Sequence, residues 1–117
     1  MSSPHSKSAA VDAALSALDE GRTPERSVLR EAVRSLLAVL AERAPGRSVE
    51  VRVPPYGAIQ CVPGPRHTRG TPPNVVEMSP QTWLELATGR LAWAGAVAEG
   101  RVQVSGVRGD ISAYLPL

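Results

Sequence analysis

The chain predicts an α+β domain in which helices gather on one face of a small, mostly antiparallel sheet of about four to five strands. Three observations carry that prediction. Apolar residues recur at helical spacing through the first third of the chain. The period drops to two from Val49, and two short helical stretches after Ser79 precede one more alternating run.

Met1 to Lys7 is polar and reads as a flexible tail, after which Val11, Leu15 and Leu18 mark a short amphipathic helix that Gly21 stops. Thr23 and Pro24 read as the N-cap and first position of a second, longer helix. Its apolar stripe is Leu29, Val33, Leu36, Leu37 and Leu40, with Arg26, Arg30 and Arg34 on another face, and Pro45-Gly46 ends it. Val49, Val51 and Val53 alternate with Glu50 and Arg52 as a half-buried strand requires. Pro54-Pro55-Tyr56-Gly57 turns the chain, and Ala58 to Val62 returns antiparallel. Asn74 to Met78 reads as a third strand. Ser79 caps the next helix with Pro80 at its first position, and Gly89 falls where a left-handed residue closes it. Arg101 to Ser105 alternates again, and Asp110 caps a last helical turn with Ile111, Tyr114 and Leu115.

A length of 117 residues suits one domain with a real core and no need of disulfide or metal. Apolar residues make up 43% and charged residues 21%, a globular balance. The chain has no Phe, two Trp and two Tyr, so Val, Leu, Ile and Ala must fill the interior, which is compatible with a cavity. A net charge of +2, without aromatic interleaving among the arginines, gives no nucleic-acid signal. The longest apolar run, Leu36 to Ala41, is far below the roughly 20 residues that span a bilayer. No secretory signal stands at the N-terminus and the one cysteine has no partner for a disulfide, so a reducing cytoplasm is the expected location.

The stretch from Ser79 to Gly106 sets Trp83, Leu84, Leu86, Ala87, Leu91, Trp93, Ala94 and Val97 on consecutive helices too short to be stable alone, an apolar lid that packing must hold. A helix, the step Gly89-Arg-Leu91, a second helix and the strand opening Gly100-Arg-Val102 follow in that order. This order resembles the sterol carrier protein superfamily, in a compact bacterial form, over Thr23 to Leu117. The resemblance implies a lipid-binding domain at 23–117, preceded at 1–22 by the tail and an added N-terminal helix. It implies non-catalytic binding or transfer of a fatty acyl chain, a sterol or a phospholipid, with transient membrane contact, no cofactor and no metal.

On that reading Val51, Ile59, Val76, Trp83, Leu86, Trp93, Val97 and Val104 wall a ligand cavity between sheet and helices. The plainer alternative is that the same side chains fill their own core. Arg66, His67 and Arg69 lie in the Pro-rich loop Gly64 to Pro73 with no acid nearby, where they would bind an anionic headgroup or remain solvated. An enzyme would require Cys61 and His67 to meet as nucleophile and base; a buried strand cysteine is the expectation instead. The competing function is a protein-interaction module, for which an exposed Leu29, Val33, Leu36, Leu40 stripe would mark a homodimer surface on the N-terminal helices.

Overall fold

Capping chemistry and the shift from helical to strand period set the element order in the computed structural model, which describes residues 8–64, 74–107 and 109–117. Helix α1 (Ala9–Asp19) starts at Ser8, whose hydroxyl accepts from Val11 N at 3.3 Å. Helix α2 (Arg26–Arg43) begins later than Thr23-Pro24 predicts, with Glu25 at the N-cap position. The intervening residues are used to turn the chain: Arg22 N bonds back to Ala17 O at 2.8 Å, and Pro24 is buried in the link outside the helix. Ala10, Val11, Ala14 and Leu15 join the buried residues of α2 in one core, so α1 is packed into the domain that follows it.

The sheet is mixed. Strands β1 (Val49–Val53) and β2 (Gly57–Cys61) form an antiparallel hairpin, β3 (Asn74–Met78) lies parallel to β1, and β4 (Val102–Ser105) is antiparallel to β3. Their order is β2-β1-β3-β4, which leaves β2 and β4 at the edges. The register places Ile59, Val51, Val76 and Val104 in one row across all four strands on the buried side. The neighbouring row, Ala58, Arg52, Glu77 and Gln103, points the other way by the period-two rule.

Helix α3 (Pro80–Ala87) carries the predicted cap: Ser79 Oγ accepts from Thr82 N at 3.2 Å with Pro80 in the first turn. It packs on α2, and Trp83 Nε1 donates to Val33 O at 3.2 Å. Helix α4 (Trp93–Ala98) packs on β4. The C-terminal helical turn is a single 3-10 turn, Ser112–Tyr114. Asp110 Oδ1 accepts from Ser112 N at 2.8 Å, and these bonds hold its carboxyl below the usual carboxylate range. Leu117 N bonds to Ala87 O at 2.9 Å, tying the end of the chain to α3.

Where β2 ends, Val62 adopts φ 69°, a costly conformation for a β-branched residue. It is held by Val62 N to Ala44 O at 2.6 Å and by Ser48 N and Oγ donating to Val62 O at 3.1 and 2.8 Å. Gly46 lies so close that a Cβ there would overlap the Val62 carbonyl, so only glycine fits. Among the described residues no helix is long and apolar enough to cross a membrane.

Candidate functional site

The buried row of the sheet is covered unevenly, and that gradient defines the site. Val51 and Val76, on the two central strands, are fully buried in one core with residues of α2 and α3. Ile59 on edge strand β2 is half-buried, while Val104 on edge strand β4 remains 42% exposed although it stands in the same row. The cover over β4 is α4, a helix of six residues with no side-chain N-cap bond and only Ala96 buried. Trp93 and Val97 share its face at i and i+4; Trp93 is half-buried and Val97 is 45% exposed. Val107, just past β4, is bare to solvent.

The eight expected cavity residues therefore fall into two groups. Val51, Val76, Trp83 and Leu86 are buried in the core cluster. Trp93 and Val97 on α4 and Val104 on β4 lie on two elements that pack together, with Leu91 half-buried just ahead of α4, and Ile59 stands at the far edge. Val107 was not singled out from sequence; an isolated apolar residue in Gly106-Val-Arg-Gly109 is the signal that could have found it. Buried Gly109 packs directly against Val104, where a Cβ would overlap its Cγ1.

Polar groups frame this corner. Arg101 pairs with Glu85 on α3 and donates from Nε to Thr82 Oγ1 at 3.2 Å. An open cleft of about 480 Å³ lies there, lined by Ser79, Gln81, Thr82, Gly100, Arg101 and Gln103. On the opposite face of the sheet a second depression of about 310 Å³ runs along Arg52, Val75, Glu77, Gln103 and Ser105 and reaches Val104 at the β4 edge. At the other end of α4, Arg90 grips the carboxylate of Asp19 on α1 with both terminal guanidinium nitrogens. That hydrogen bonding holds the Asp19 carboxyl below its ordinary range and raises Arg90. No pattern in the sequence announces this pair, which joins the end of α1 to the link between α3 and α4.

Cys61 is buried at the end of β2, and burial pushes its thiol up to about 11. The segment carrying Arg66, His67 and Arg69 lies outside the described residues. Among the described residues no group of three His, Cys, Asp or Glu side chains is gathered as a metal site would need.

The crossover that makes β3 parallel to β1, with every helix packed on one side, is joined by a match to known sequences. A family model described as bacterial SCP ortholog matches residues 25–117, well over half of the chain. The chain belongs to the sterol carrier protein-like family. Membership places it among lipid-binding domains in general terms. The match begins at the N-cap of α2, so α1 and its Asp19 lie outside it. None of the curated proteins matches this sterol carrier-like chain.

Proposed function

We propose that this sterol carrier-like protein binds one apolar ligand without covalent chemistry, a fatty acyl chain, a sterol or a phospholipid, taken up at the α4–β4 corner. One observation carries the reading. Every large apolar side chain left exposed among the described residues, Val97, Val104 and Val107, falls between α4 and the turn after β4. An apolar tail laid there would extend the half-buried surface of Leu91 and Trp93 and cover what α4 leaves open. Burying ten methylenes is worth about 8 kcal/mol, less the cost of immobilising the chain, which gives roughly micromolar affinity without a charged contact.

The interaction-module reading is the weaker of the two. Its marker was an exposed stripe on the second helix, and Val33, Leu36 and Leu40 are buried within the domain's own core while Leu29 is half-buried. A non-catalytic, cytoplasmic carrier also suits Cys61, a neutral buried thiol at physiological pH. The headgroup role of Arg66, His67 and Arg69 remains part of the proposal. It draws support from the sequence, where these three basic residues stand together in the stretch from Gly64 to Pro73 without an acid. An anionic ligand losing affinity on Arg66→Ala while a neutral one of the same tail does not would test that part.

Titration with a fluorescent long-chain fatty acid is expected to saturate at one ligand per chain, and native mass spectrometry of protein from its own host should show the bound lipid's mass. Absence of saturable binding across fatty acids, sterols and phospholipids, with the protein shown to be folded, would overturn the proposal.

A further inference from the structure

The segment that carries α4 is built as a strap. It is bracketed by two left-handed glycines, Gly89 at φ 84° and Gly100 at φ 71°. Between them the helix is too short to persist without packing, and its one buried residue is Ala96. Both ends are tied down by the same residue of α3. The Glu85 carbonyl accepts from Arg90 N and Leu91 N at 2.8 and 3.1 Å where the strap enters, and the Glu85 carboxylate pairs with Arg101 where it leaves. A second tie holds the entry from elsewhere in the chain: Asp19, the last residue of α1, takes the Arg90 guanidinium in a two-pronged ion pair. α1 is the element that precedes the family match.

We infer that the α4 strap opens and closes over the apolar corner, and that α1 governs its opening through the Asp19–Arg90 latch, with Glu85–Arg101 as the latch at the other end. The gating role rests on the lipid-binding reading; the strap's motion does not. The architecture supplies what a gate needs. The moving part has little buried surface to lose, hinges that turn without side-chain strain, and restraints that are ionic and partly exposed, the side chains of Asp19 and Arg90 being 57% and 41% accessible. Exposed pairs of this kind are weak singly, so they bias the equilibrium without locking it. Val51 and Val76, buried in one core with residues of α2 and α3, stay covered when the strap lifts.

Amide hydrogen exchange on the full chain without ligand tests this. Asp19→Asn and Glu85→Gln should each speed exchange of residues 92–100 by about two- to fivefold, leaving β1 and β3 unchanged. The charge swap Asp19→Arg with Arg90→Asp should restore the wild-type rate. Unchanged exchange of 92–100 in both single variants, or an equal rise throughout the sheet, would overturn the strap. Dissociation of a fluorescent fatty acid then separates the two proposals, because Asp19→Asn should raise its rate by the same factor. A probe that binds with equal dissociation rates in both proteins refutes gating and leaves the lipid reading standing. Binding to neither protein by a fatty acid, a sterol or a phospholipid probe, with the exchange result intact, refutes the lipid reading and leaves the strap.

Discussion

Helices α3 and α4 each present a tryptophan, and the two side chains live in different surroundings. Trp83 is fully buried between α2 and the sheet with its indole nitrogen bonded to Val33 O, whereas Trp93 is half-buried on a helix that leaves Val97 and Val104 open. The difference follows from what each helix buries. α3 packs on α2 and has Trp83, Leu84, Leu86 and Ala87 buried. α4 packs on edge strand β4 and has only Ala96 buried. The domain is thus a rigid body with one incompletely closed corner, and the incompletely closed corner is where binding energy is still to be gained.

Truncation of the two tryptophans should break or sharpen that contrast most strongly. Trp83→Ala is expected to cost about 3–5 kcal/mol of unfolding free energy in a urea titration, since it opens a large cavity and removes the indole bond to Val33 O. Trp93→Ala should cost only about 1 kcal/mol, in proportion to its smaller buried area. Costs in the reverse order would mean that α4, and not α3, belongs to the rigid body.

Cys61 offers a probe of the sealed region alone. Its thiol is neutral in the fold up to about pH 11, while in the unfolded chain it ionises from its ordinary value of 9.0. A folded pKa raised above the unfolded one gives stability that is complete below pH 9 and is lost as pH rises from 9 toward 11. The loss is on the order of 2 kcal/mol. Comparing wild type with Cys61→Ala across that window isolates the term, since the variant lacks it while all other titrating groups are shared. Parallel pH profiles for the two proteins would show that the thiol meets solvent in the fold.

Much of this architecture was legible in the sequence because it is written in local chemistry. Alternation from Val49 to Val53, the Ser79-Pro80 cap and the left-handed Gly89 each depend on a few neighbouring residues, and each appears in the structure. The start of α2 was misplaced because Thr23-Pro24 carries a cap signal while tertiary turning of the chain, through the Arg22–Ala17 bond, takes those residues for itself. The site was only half legible. Apolar spacing marks Val76 and Val104 alike as inward-facing, and pattern alone has no means to tell a central strand from an edge. That distinction is made by strand order, and so is the grouping of Trp93, Val97 and Val104 apart from Val51, Val76, Trp83 and Leu86. The Asp19–Arg90 latch was not legible at all, because it exists only once α1 has packed.

The smallest effect on stability should come with the clearest effect on binding. Val104 and Val76 are register partners in one row, yet one is 42% exposed and the other fully buried. Val104→Thr and Val97→Thr keep shape and replace a methyl by a hydroxyl that water already reaches, so each should change unfolding free energy by less than about 0.5 kcal/mol. Val76→Thr places the same hydroxyl where it has no water and should cost about 1–3 kcal/mol. For the lipid the ranking inverts. A tail lying in the α4–β4 corner loses apolar contact at Val97 and Val104, worth about 0.8 kcal/mol or roughly a fourfold weaker Kd at each position. A tail in that corner never touches Val76, so Val76→Thr should leave Kd unchanged under conditions where the variant is folded. If Val76→Thr weakens binding and the two exposed variants do not, the ligand lies between the sheet and α3, and the sealed layer is the part of the molecule that opens.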